Sequence, residues 1–350
     1  MTVPRYSWQP STAEVAARAG IAPAEVIRAD QNSSPFTPPW LGSVAAASSA
    51  SVNEYPAAQY RELRRAIGGW VGADEDMIVP GAGADELILL AARAFLPPGG
   101  TAVAESPTYS MYRIATLQQS AVYREVPRVL PSAEFPTEAL SAAARDAEVT
   151  WLCVPHNPIG DRPATADIDA VVSSAAGITV IDAAYAEFAG DRWGEYAAAS
   201  PGVVVLGTLS KAFALAGARV GYAVARPDLA DAIDRLRPPG SVASISVALA
   251  LRALSETGWM LEHVELVTHL RASLAAGLAG LGLTPRPSET NFVLVSLGAE
   301  ATAVAERLMR RGIVVRTFPA EHPLADQIRF TVRRADQQDR MLEALGLEMR

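Results

Sequence analysis

The segment Thr208-Leu209-Ser210-Lys211 holds the single lysine of the chain; of its 30 lysines and arginines, the other 29 are arginine. Arginine keeps its proton near neutral pH, whereas a lysine amine can lose one and attack a carbonyl carbon. A chain that writes its other cations as arginine has kept this amine either by codon bias or for such chemistry. The apolar run Val203-Val204-Val205-Leu206 precedes it and predicts a buried strand, and small residues follow from Ala212 to Arg219. Lys211 is therefore expected just past the end of a strand, where open α/β sheets bind their ligands.

Three further stretches could supply polar groups to the same place. Asp182 closes the strand signal at 178–181, with Tyr185 shortly after it. A carboxylate at the end of a buried strand costs several kcal/mol, roughly, unless a cation meets it, so a cationic partner is expected; as an alternative, Asp182 caps a helix. Gly81-Ala82-Gly83-Ala84-Asp85-Glu86 follows a strand and opens a helix. Glu86 stands where a dinucleotide fingerprint has its third glycine, but free N–H groups of Ala84 and Asp85 at a helix N-terminus suit a phosphate. The same residues also fit an ordinary tight turn. Pro155-His156-Asn157-Pro158-Ile159-Gly160 predicts a rigid loop that presents the Asn157 amide. The four histidines and Cys153 show no metal-ligand spacing, and the further signatures of a Ser–Lys hydrolase are absent.

The elements that must position these groups alternate. Strand signals fall at 77–79, 101–104, 121–126, 149–154, 178–181, 203–206 and 220–225, with helical spacing between most of them. That predicts an α/β fold with a mostly parallel sheet covered on both faces. After Pro238-Pro239-Gly240 come long helices near 244–256 and 259–281. Strands at 292–295, 313–315 and 328–332, a helix at 301–310 and a last helix from 335 complete a smaller α+β domain. Ser11 and Gly20 bracket a short helix, Pro23 can open another, and 31–39 reads as an extended arm, too polar and Pro-broken for a core element. The expected division is an arm at 1–45, a large domain at 46–240 and a small domain at 241–350.

At 350 residues the chain can bury a large core. No apolar run approaches the roughly 20 residues of a membrane span, and the first ten residues carry no secretory pattern. The lone Cys153 permits no intrachain disulfide, which fits a cytoplasmic setting. A net charge of −8 argues against a nucleic-acid partner.

Taken in order, the blocks resemble a family. They are Asn53-Glu54-Tyr55-Pro56, Gly83-Ala84-Asp85-Glu86, Pro107-Thr108-Tyr109-Ser110-Met111-Tyr112, Asn157-Pro158 and Asp182-Ala183-Ala184-Tyr185-Ala186-Glu187-Phe188. Thr208-Leu209-Ser210-Lys211-Ala212-Phe213, Arg219-Val220-Gly221-Tyr222, Asn291-Phe292 and Ile328-Arg329-Phe330-Thr331-Val332 follow. The pattern is similar to the histidinol-phosphate aminotransferase family, among fold-type-I enzymes that use pyridoxal 5′-phosphate. The resemblance implies a large domain with a mixed, mostly parallel sheet and a smaller α+β C-terminal domain. It implies that Lys211 carries the cofactor covalently and moves the proton, with Asp182 paired to the ring nitrogen. Asn157 and Tyr185 would bond the ring's phenolic oxygen and Tyr109 would stack on the ring. Ala84, Asp85, Thr208, Ser210 and Arg219 would hold its phosphate, and Tyr55 would reach the phosphate in a neighbouring subunit, making a homodimer. Arg329 would clamp the substrate carboxylate and Arg316 a substrate phosphate. An amino donor and a 2-oxo acid would be the partners, with no metal.

The chain departs from the family pattern at Gln31-Asn32-Ser33-Ser34-Pro35, Pro239-Gly240-Ser241, Ile159 and Arg333-Arg334. The first two lie near the substrate end of the implied site and bear on which amine is used. A decarboxylase or lyase on the same scaffold, resembling threonine-phosphate decarboxylase, is the competing reading. A cofactor-binding domain of a regulator is a third.

Overall fold

The computed structural model describes residues 3–6, 8–48, 52–57 and 59–349. Ser11 begins the first helix: its hydroxyl accepts from the Glu14 amide at 3.2 Å, and Glu14 Oε2 accepts from the Ser11 amide at 2.7 Å. Gly20, at φ 66°, ends this helix, α1 (Thr12–Ala19). A 3-10 turn at Pro23–Glu25 leads to β1 (Ile27–Ala29), α2 (Leu41–Ser48), α3 (Arg61–Val71) and β2 (Ile78–Gly81). Alternation follows through α4 (Ala84–Phe95), β3 (Thr101–Ser106), α5 (Ser110–Gln118), β4 (Val122–Pro127) and α6 (Thr137–Ala144). It continues with β5 (Val149–Cys153), α7 (Thr165–Ser174), β6 (Ile178–Asp182), α8 (Gly194–Ala199), β7 (Val203–Thr208) and β8 (Gly221–Ala225). Three helices come next, α9 (Pro227–Asp234), α10 (Ser244–Ser255) and α11 (Thr257–Gly280). The chain closes with β9 (Phe292–Ser296), α12 (Ala301–Arg310), β10 (Ile313–Val315), β11 (Gln327–Thr331) and α13 (Ala335–Glu348).

β2 to β8 form one sheet in the order β2-β8-β7-β6-β5-β3-β4. β5, β7 and β8 are buried along their whole length, hence their mostly apolar sequences without polar alternation. β3 to β7 pair in parallel, but β8 is antiparallel to β7. The chain turns straight back through the Lys211 segment, and a return without a crossover helix can pair only antiparallel. Register sets Cys153 beside Asp182, and Gly81 and Thr208 on either side of Gly221. The ends of β2, β5, β6 and β7 therefore meet along one edge.

Beyond the large sheet, β9 pairs antiparallel with β11, and β1 pairs parallel with β10. An isolated bridge between Arg316 and Arg329 joins the two pairs. β1 is not visible in the sequence pattern, because three residues between Pro-rich stretches carry no periodicity. Residues 31–39 form an arm without helix or strand, as expected, but the arm is anchored: Asn32 is 2% exposed, and Trp40 just beyond it is 8% exposed. Neighbouring side chains satisfy the polar groups there, which composition alone does not reveal. Among the described residues, no helix is long and apolar enough to cross a membrane.

Candidate active site

Lys211 lies in the turn between β7 and β8, and its Nζ donates to the Asn32 carbonyl at 3.0 Å and the Gln31 carbonyl at 3.4 Å. The amine sits 5.6 Å from the centre of the Tyr185 ring. Enclosure lowers its pKa to about 8; Arg329 and Arg219 push the same way, while Asp85 and Asp182 oppose. An amine with that pKa is partly neutral near physiological pH, the form that attacks a carbonyl.

Asp182 ends β6, one strand over. Its Oδ2 accepts from the Tyr112 hydroxyl at 2.8 Å and its Oδ1 from the Ala184 amide at 3.1 Å. It does not cap an α-helix. Burial pushes the carboxyl up to about 6, against those two hydrogen bonds. Among the described residues no salt bridge includes Asp182; Lys211 favours its charged form, but only as the last and smallest influence, after burial and the two hydrogen bonds. Tyr112 is itself fixed by stacking on Trp151, ring centres 5.3 Å apart and planes 4° apart.

The loops after β5 and β6 bring Asn157 and Tyr185. Asn157 Oδ1 accepts from Arg329 Nη1 at 2.6 Å, and the buried Tyr185 hydroxyl accepts from Asn32 Nδ2 at 2.8 Å. Arg329, on β11, also donates through Nη2 to the Asp30 carbonyl at 2.8 Å. Its Nε is buried without a hydrogen-bond partner. Arg316 shares a reciprocal backbone pair with Arg329, at 3.1 and 2.9 Å, and is half-buried.

A second polar group surrounds the N-terminus of α4. Thr208 Oγ lies 2.8 Å from Ser210 Oγ, and Arg219 Nη1 donates to Ser210 Oγ at 3.4 Å. Arg219 Nη2 also reaches Asp85 at 3.0 Å, and Tyr109 donates its hydroxyl to the other Asp85 oxygen at 2.8 Å. Arg219 adopts the left-handed conformation, φ 51°, uncommon outside glycine and asparagine. Gly221 has no room for a side chain: a Cβ there would run into the backbone of Gly83 and Ala84. Two glycines and the Ala84 amide thus form a tight cradle at the positive end of α4. Tyr55 is not brought to this cluster within one chain; it is 94% exposed.

Several residues of the site carried no assigned role in the sequence reading. Asn32, in the left-handed region at φ 52°, uses every polar group it has. Besides Tyr185 and Lys211, its amide and Oδ1 bond Thr331 Oγ at 3.0 Å each, and its carbonyl accepts from Asn291 Nδ2 at 2.9 Å. Tyr112 was visible only as part of an aromatic block. Two departures from the family pattern meet here: Arg333 Nη1 donates to the Ser33 carbonyl at 3.1 Å. Burial lowers the Arg333 pKa to about 10.

Lys211, Asp182, Asn157, Tyr185 and Arg329 thus lie together where the strand ends meet, with the cradle of Ala84, Thr208, Ser210 and Arg219 beside them. The family model for aminotransferase class I and II matches residues 16–345. The histidinol-phosphate aminotransferase of Symbiobacterium thermophilum is 35% identical, over 92% of this chain and 90% of its own. That of Methanopyrus kandleri is 33% identical, over 87% and 83%. Among solved structures, histidinol-phosphate aminotransferase from Sinorhizobium meliloti, in complex with pyridoxal 5′-phosphate, superposes with a TM-score of 0.89 at 26% identity, covering 98% of this chain and 95% of that one. The chain belongs to the aminotransferase class I and II family.

Proposed function

We propose that this aminotransferase carries pyridoxal 5′-phosphate in the Lys211 cleft and moves an amino group between an anionic amino donor and a 2-oxo acid, histidinol phosphate being the first donor to test. The observation that carries the reading is the pairing of a reactive amine with an orphan buried acid at the ends of adjacent parallel strands. The groups present fit the cofactor. The α4 cradle with Ser210, Thr208 and Arg219 suits a phosphate monoester, and Asp182 lacks the cation that a pyridinium nitrogen would supply. Bound there, the cofactor supplies an electron sink for the substrate's amino carbon.

The chain's own residues do the rest. Lys211, partly neutral near pH 7, would hold the cofactor and can take up and return a proton at the substrate's amino carbon. Asp182, desolvated and held by Tyr112, would pair with the cofactor's ring nitrogen. Tyr185 is fixed by Asn32 with its hydroxyl toward the cleft, and Tyr109 forms the cleft wall beside Asp85. Arg329 takes a carboxylate, or the phosphate of a substrate that has none. Arg316, beside it on the strand pair, takes a further anion. The active unit is a homodimer to whose second site Tyr55 contributes, and the cytoplasm is the setting that fits a lone buried cysteine.

The test is incubation with histidinol phosphate and a 2-oxo acid acceptor, following both keto and amino products. A transaminase forms both in equal amounts, whereas a decarboxylase of the competing class releases CO2. Arg316→Ala should cost the phosphorylated donor at least about tenfold more than its neutral analogue, as losing one charge-assisted hydrogen bond predicts. Equal losses for both donors would remove Arg316 from anion recognition.

A further inference from the structure

We propose that His263 is a positioning residue that locks the arm at 30–36 to the turn that carries Lys211. The proposal rests on the reading of Lys211 as the reacting amine. His263 lies on α11, away from the strand ends, and is 4% exposed. Its Nδ1 is 2.7 Å from the carbonyl oxygen of Ala212, the residue after Lys211. A carbonyl only accepts, so Nδ1 carries the hydrogen. In the neutral ring Nε2 is then an acceptor, so the single Ser34 hydroxyl hydrogen goes to it at 2.8 Å in preference to the Phe36 carbonyl at 3.1 Å. Trp259 stacks on the imidazole, ring centres 5.2 Å apart and planes 2° apart, and Phe36 meets it edge-on at 5.9 Å. Burial lowers the imidazole pKa, in keeping with a neutral ring.

These contacts close a circuit. Ser34 is two residues from Asn32, whose carbonyl accepts from Lys211 Nζ. That bond cannot persist through the reaction, because an amine that bonds a carbonyl carbon or moves a proton must turn away from Asn32. Thr331, Asn291 and Arg333 hold the arm to the β9–β11 side, and Tyr185 holds it to the loop after β6. His263 instead ties the arm to the backbone of the Lys211 turn, wherever Nζ points. It therefore keeps the Tyr185–Asn32–Arg329 wall at a fixed distance from the amine while the amine works.

The test compares His263→Ala, His263→Asn and Ser34→Ala with wild type. The asparagine amide can still donate to Ala212 but does not reach Ser34. Hydrogen exchange of the cofactor-free proteins is read at peptides covering 30–36 and 209–215, and kcat and KM are read on the loaded enzymes. His263→Ala removes both hydrogen bonds; it should speed exchange in both peptides and lower kcat about tenfold, the ratio that corresponds to the one bond holding the Lys211 turn. His263→Asn should restore protection at 209–215 and most of kcat, leaving 30–36 fast and KM raised, and Ser34→Ala should match it. Unchanged kcat in His263→Ala overturns the proposal, as does protection lost evenly along the chain. Exchange is read without cofactor, so an inactive wild type with intact local protection would fault the assigned reaction and not the contact.

Discussion

Replacing Asp182 by asparagine should stabilise the cofactor-free protein at the pH where it abolishes most turnover. Burial moves the carboxyl from its ordinary 3.8 to about 6, and the residue is 4% exposed. A group raised in the folded state holds its proton there over a range where the unfolded chain has released it. Its contribution is neutral below 3.8 and becomes fully unfavourable above about 6. The difference corresponds to about 3 kcal/mol at pH 8 and about 1 kcal/mol at pH 4.5. Asparagine carries no charge, so it avoids that penalty while keeping an acceptor for the Ala184 amide. Thermal melts of both proteins, stripped of cofactor, should show the variant more stable at pH 8, with the advantage shrinking towards pH 4.5. With cofactor the ranking of activity reverses, because a neutral amide cannot hold a pyridinium proton. A variant no more stable than wild type at pH 8 would mean that a protein cation already compensates Asp182, and the cofactor argument built on an orphan acid would fail.

Two other outcomes follow from the same geometry. Tyr112→Phe removes the Asp182 Oδ2 donor, so the carboxyl rises further; kcat should fall about tenfold and the acid limb of the pH profile should move up, and an unchanged profile would contradict the role. Tyr55→Ala should weaken cofactor retention and leave a dimer by light scattering, whereas a fully active monomer of the wild-type protein would refute the shared site.

The strand ends were the most legible part of the chain. Buried parallel strands are written as unbroken apolar runs, so a polar residue at the end of one, Asp182 or Thr208, stands out. Lys211 stood out through composition. Asn32 did not, because a polar, Pro-broken stretch gives no periodic signal and its burial depends on partners from β9, β11 and the β6 loop. Tyr112 showed only as the end of the Pro107–Tyr112 block, with no role, since the contact of its hydroxyl crosses from α5 to β6. His263 showed only as one of four histidines without metal-ligand spacing, and its partners lie 51 and 229 positions away in sequence. The antiparallel turn of β8 was likewise hidden, because pairing direction depends on the connection and not on the strand's own residues.

The central claim is that one amine, Lys211, carries the cofactor. The most direct measurement is borohydride reduction of the yellow protein expected after loading with pyridoxal 5′-phosphate, followed by peptide mass spectrometry. The account predicts one cofactor-derived mass increment, on the peptide containing Lys211, and no increment in Lys211→Ala. An increment on any other peptide, or a Lys211→Ala protein that is still labelled, would contradict it.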